Sequence, residues 1–103
     1  MNYNTALPYF PSEDVDEIIK KIRNIIEGQG VFTKGPNVES FERGFANYIG
    51  AEYGVAVNSG TSALEIALKS TGISQGDEVI VPTQTFISTG SCIVNNGGIP
   101  VFC

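Results

Sequence analysis

The sequence predicts an α/β fold with a mostly parallel sheet and helices on both faces. Three observations carry that reading. From residue 51 onward, apolar runs of strand length alternate with segments of helical periodicity. The runs are continuously apolar, as strands buried on both faces are, rather than alternating. Each ends in a turn signal: Asn58-Ser59-Gly60 after the first, Pro82 after the second.

The elements follow in order. Pro8 to Pro11 is an extended lead-in. Ser12 is placed as an N-cap, with Glu13, Asp14, Asp16 and Glu17 on the first turns, where the helix dipole favours negative charge. Val15, Ile18, Ile19, Ile22, Ile25 and Ile26 recur at helical spacing and form one apolar stripe. Gly28 ends that helix, and a glycine-punctuated loop runs to Pro36. Asn37 is placed as the cap of a second helix, with Val38, Phe41, Phe45, Tyr48 and Ile49 on its inner face and Gly50 as its stop. Tyr53 to Val57 reads as a short strand. A third helix, Ser62 to about Ser70, carries Ala63, Leu64, Ile66, Ala67 and Leu68 on most of its faces and is expected to be buried. Glu78 to Val81 is the second strand, Thr85 to Asn95 a fourth helix and Ile99 to Phe102 a third strand. Three strands leave an open apolar edge, so the chain alone is expected to aggregate or pair with itself.

Composition excludes several functions. Six basic against eleven acidic side chains give a net charge of −5, the wrong sign for a nucleic-acid surface. The chain has no histidine, which rules out a His general base or a His-based triad. Its two cysteines, Cys92 and Cys103, argue against a zinc site and fit reduced cytosolic thiols. Met1 to Phe10 lacks the basic-then-apolar pattern of a signal peptide, and Val79 to Cys103 is too polar to span a bilayer. The expectation is a soluble cytoplasmic protein. From Val79 to the end there is no charged residue, and the apolar Ile99–Phe102 run stands at the terminus. The expected explanation is the N-terminal piece of a longer chain; the alternative is a short edge strand closing a small domain.

The candidate chemistry lies at Val57-Asn58-Ser59-Gly60-Thr61-Ser62, where a strand turns into a helix. A helix N-terminus presents unpaired N–H groups and the positive end of the dipole, both suited to phosphate. Gly60 admits close approach of an anion, and Thr61 and Ser62 add hydroxyls. Neither a P-loop ending nor a G-x-G-x-x-G fingerprint is present, and the small cup suits a single phosphate monoester rather than a pyrophosphate. The competing reading makes Ser59 and Thr61 helix caps only. After the next strand, Pro82-Thr83-Gln84-Thr85-Phe86 places an aromatic at the same sheet edge. Phe86 could stack on a planar ring or belong to the core.

Four segments in register resemble the DegT/DnrJ/EryC1/StrS family of pyridoxal-phosphate-dependent sugar aminotransferases. They are Gly30–Pro36 with Val38 and Phe41-Glu42; Ala56–Leu64; Gly76–Pro82; and Thr85–Thr89 with Gly97–Phe102. The resemblance covers essentially the whole chain. It implies the N-terminal part of an aspartate-aminotransferase-like, fold type I large domain, assembled as a homodimer. Residues 1–50 would be a helical segment and substrate loop, and residues 51–103 the start of the cofactor-binding domain. Gly60, Thr61 and Ser62 would hold the phosphate of pyridoxal 5′-phosphate, Phe86 would stack on its ring, and Phe32 and Thr33 would lie near the sugar-nucleotide. The implied reaction moves an amino group, with glutamate as donor, to a keto group of a nucleotide-linked deoxysugar. The family's Schiff-base lysine falls beyond residue 103. None of Lys20, Lys21, Lys34 and Lys69 stands in its context, so the chain alone is expected to be inactive. A sugar dehydratase of the same family, and a non-catalytic fragment or phosphate-binding module, remain open alternatives.

Overall fold

The computed structural model describes residues 8–28 and 32–103. Gly30 and Val31 of the substrate loop, and Met1–Leu7 of the N-terminal segment, lie outside the described residues. The chain divides into two compact units, Met1–Gly54 and Val55–Cys103.

The first unit holds two helices, α1 (Ser12–Glu27) and α2 (Pro36–Ile49). Both starts differ from expectation for the same reason. Pro11 occupies the N-cap of α1, so Ser12 is its first helical residue and makes no capping bond. Pro36 is the first residue of α2 behind Gly35, so Asn37 lies inside the helix. Proline's preset φ suits this position, where its missing N–H sacrifices no helical bond. Gly28 ends α1 with its N–H on the Asn24 carbonyl at 3.0 Å. Gly50 ends α2 in the left-handed region at φ 74, and the Ala51 N–H returns to the Ala46 carbonyl at 2.9 Å. The α1 stripe forms, but none of its residues is buried. Its polar side carries a Lys21–Glu17 ion pair at 2.7 Å. That contact, with the Lys21 charge beside it, holds the Glu17 carboxyl below its ordinary range. On α2, Phe41 and Phe45 stack with ring centroids 5.8 Å apart, and Ala46 is buried.

The second unit holds α3 (Gly60–Ser70), β1 (Glu78–Val81), α4 (Ile87–Asn95) and β2 (Ile99–Phe102). β1 and β2 pair in parallel, from Glu78 opposite Ile99 to Val81 opposite Phe102. Bonds from Ile99 N to Asp77 O (2.8 Å) and Cys103 N to Val81 O (3.1 Å) turn alternate β2 residues toward β1. Pro100, which has no N–H, therefore faces the open side, where it forfeits no ladder bond. Gly76 at φ 91 donates to the Gly97 carbonyl, and the Asp77 carboxylate accepts from Ser74 N at 2.7 Å. That turn sets where β1 begins.

The core of this unit is Val81, Cys92 and Ile93, with Leu68 and Val79 packed against it. Gly98 is part of the same packing: a Cβ there would lie 2.8 Å from Ile73 Cδ1 and 2.9 Å from Ile93 Cγ2. Four expectations are corrected. Tyr53–Val57 is not a strand, because no described strand pairs with it. Among the described residues the sheet therefore has two strands, not three. Helix α3 buries none of its residues, with Leu64 at 39% and Ile66 at 57% exposure. Apolar composition alone does not bury a helix; it needs a neighbour on each face. Helix α4 begins two residues later than expected, behind Phe86.

Candidate functional site

Ser59 is extended, at φ −159 and ψ 158, and its side chain caps α3. Its Oγ accepts from the Ser62 backbone N–H at 3.2 Å and donates to Ser62 Oγ at 3.1 Å. Its carbonyl takes the Ala63 N–H at 3.0 Å. Two of the first four α3 donors are thereby satisfied. The N–H groups of Gly60 and Thr61 would need acceptors four residues back, before the helix begins, and so have no partner within it. Above Gly60 is open space, with nothing within 4 Å of where a Cβ would stand. Thr61 and Ser62 are half-buried. Two free amides, neighbouring hydroxyls, the positive helix end and an open approach form a donor set that fits a phosphate monoester.

Sequence reasoning left Ser59 out of the cofactor-binding residues, yet the structure makes it the organiser of the cup. The signal was present as an Asn-Ser-Gly turn directly before a helix.

Phe86 occupies the N-cap of α4, beyond the carboxyl end of β1, and the residue is 72% exposed. This exposure goes against an ordinary core role within the described residues. It borders a cavity of about 320 Å³ shared with Thr83, Thr85, Gly90, Ser91 and Phe102. Gly60, Thr61 and Ser62 do not line that cavity, so it does not by itself join the two halves of the candidate site. Both halves stand at helix N-termini of one unit. Phe32 and Thr33 are exposed in the first unit, and Phe32 shows 80% of its surface. Lys34 has a positive φ of 53, and Lys69 stands in the last turn of α3, away from its capped start. No group of three or more His, Cys, Asp or Glu suited to a metal occurs among the described residues.

Comparison with known proteins decides the family. The DegT/DnrJ/EryC1/StrS aminotransferase family matches residues 12–103. The chain belongs to this family. It is 43% identical over 97 residues to the spore coat polysaccharide biosynthesis protein SpsC of Bacillus subtilis, covering 94% of this chain and 24% of that protein. It is 32% identical over 104 residues to the 3-oxo-glucose-6-phosphate:glutamate aminotransferase of the same organism, covering 95% and 23%. Among solved structures, Escherichia coli GDP-4-keto-6-deoxy-D-mannose-3-dehydratase with bound hydrated PLP superposes at TM-score 0.84 and 27% identity, covering 98% of this chain and 26% of that one. The chain thus spans about a quarter of the length of these relatives. The fold is that of the fold type I pyridoxal-phosphate enzymes, and the family is one of sugar aminotransferases with dehydratase members. Among the described residues, no helix is long and apolar enough to cross a membrane.

Proposed function

We propose that this chain is the N-terminal portion of a cytoplasmic, homodimeric aminotransferase that aminates a keto group of a nucleotide-linked deoxysugar. The supporting observation is the open cup at the start of α3, where the Gly60 and Thr61 amides have no partner within the helix and the Thr61 and Ser62 hydroxyls stand beside them. In this reading Gly60, Thr61 and Ser62 grip the phosphate of pyridoxal 5′-phosphate, and Ser59 holds their turn in place. Phe86 offers an exposed ring face to the pyridine. Residues 1–50 serve as helical segment and substrate loop, with Phe32 and Thr33 toward the sugar-nucleotide, and residues 51–103 open the cofactor-binding domain. Once bound, pyridoxal phosphate supplies the electron sink that lets an amino group pass between carbon skeletons. The chain's own part is anchorage: it fixes one end of a planar group and one of its faces. Proton transfer at the reacting carbon falls to a lysine that none of Lys20, Lys21, Lys34 and Lys69 supplies.

Glutamate is the proposed amino donor; the relative whose name includes glutamate acts on a sugar phosphate, so donor and nucleotide are separate questions. The dehydratase likeness favours one alternative, loss of a sugar hydroxyl without net amination. The test uses the protein expressed from its own gene, with pyridoxal phosphate, nitrogen-labelled glutamate and a nucleotide-linked keto-deoxysugar. Labelled nitrogen on the sugar is the expected result. A deoxygenated sugar without label establishes the dehydratase, and cofactor binding with neither conversion overturns both.

A further inference from the structure

The phosphate cup rides on α3, and α3 is loosely held. Among the described elements its backbone runs close to α4 alone, although Leu68 packs on the core of Val81, Cys92 and Ile93. None of its residues is buried, and its apolar link to the core is the partly buried Leu68. Apolar contact is non-directional, so it tolerates sliding of one helix along another. Hydrogen bonds do not. Two of them join the helices, and both end on Glu65. Asn95 Nδ2 donates to Glu65 Oε1 at 2.6 Å, and Asn96 Nδ2 donates to the Glu65 carbonyl at 3.2 Å. Asn96 is itself fixed, because Nδ2 also donates to the Cys92 carbonyl at 2.8 Å and its backbone N–H caps the end of α4. Glu65 lies little more than one turn from Gly60, so a shift at Glu65 moves the cup with it.

We propose that Glu65, Asn95 and Asn96 form a positioning clamp that sets the axial register of α3 on α4, and so the distance from the phosphate cup to Phe86. The inference rests on the cofactor reading above. The clamp touches neither phosphate nor ring. It matters to a ligand that bridges cup and ring and is irrelevant to one that fills the cup alone. The specific prediction is therefore a split between two ligands.

The experiment titrates the protein expressed from its own gene with pyridoxine 5′-phosphate, which has no aldehyde to react with lysines, and with inorganic phosphate. Binding is read by calorimetry. Asn96→Ala is expected to weaken pyridoxine 5′-phosphate about fivefold or more, the usual effect of losing a hydrogen bond, while inorganic phosphate changes less than about twofold. Asn95→Ala, at an exposed position, is expected to show the same split at smaller size and decides the matter if Asn96→Ala does not fold. In the Phe86→Leu background the Asn96 effect on pyridoxine 5′-phosphate should largely vanish. Equal losses for both ligands, or no loss for either, overturn the clamp while leaving the cofactor reading intact. Failure of the unmodified protein to bind either ligand overturns the cofactor reading, and the clamp with it.

Discussion

Substituting Ser59→Asp drives stability and phosphate binding in opposite directions. The Ser59 side chain accepts the Ser62 N–H at 3.2 Å, and losing such a cap costs about 1 kcal/mol. Aspartate caps a helix as well as serine does, and its charge gains about 0.3–1 kcal/mol at the positive helix end. Stability should therefore hold or rise. The new carboxylate, however, stands beside the Gly60 and Thr61 amides. A phosphate on those amides would lie about 5 Å from it. At an effective dielectric constant between about 20 and 80, each phosphate charge is repelled by about 1–3 kcal/mol. Taking about 2 kcal/mol as the net effect, affinity falls roughly thirtyfold. Thermal unfolding gives the first quantity, and calorimetric titration with inorganic phosphate gives the second. The loss should shrink in high salt, as a screened repulsion must. Unchanged phosphate affinity in a variant at least as stable as the parent would refute the placement of the anion at this helix start.

Three further outcomes follow from local geometry. Gly98→Ala forces a methyl to within 2.9 Å of Ile93 Cγ2 and should destabilise by about 1–3 kcal/mol, read by denaturant unfolding. Gly50→Ala places a side chain in left-handed backbone and should destabilise by about 1 kcal/mol, although nothing within 4 Å would touch it. Glu17 is held ionised by Lys21, so its folded pKa is below its unfolded one. Its contribution to α1 is present above the ordinary carboxylate pKa and lost as pH falls through the lowered value; helix content by circular dichroism should decline there, and Lys21→Gln should flatten that step.

How much of the fold was legible differs between elements, for physical reasons. The bounds of β1 and β2 could be read in sequence because Pro82 stops one and Gly98 precedes the other, and Val79–Val81 and Ile99–Phe102 are apolar runs. The periodic stripes of α1 and α2 were as plain. Their first residues were not, because serine and asparagine were favoured over the prolines that in fact set the start. Tyr53–Val57 has strand composition, but a strand exists only with a ladder partner, and that information is not local. The burial expected of α3 failed for a related reason: five of its eleven residues are Leu, Ile or Ala, and among the described elements α4 is the one whose backbone runs close to it. Of the candidate site, the capped start of α3 was legible, because an Asn-Ser-Gly turn stands directly before a helical run. Ser59 caps the Ser62 amide, while the Gly60 and Thr61 amides lack helical acceptors because they start the helix. The Glu65–Asn95–Asn96 contacts span thirty residues and more in sequence, which no short motif reports.

The central claim is that this helix start holds the phosphate of a planar cofactor whose ring meets Phe86. A crystal structure of the protein expressed from its own gene, grown with pyridoxine 5′-phosphate, tests it most directly. The account predicts phosphate oxygens within hydrogen-bond distance of the Gly60 and Thr61 amides, with the pyridine ring against Phe86. A phosphate bound elsewhere, or seated in the cup with its ring turned away from Phe86, would contradict it.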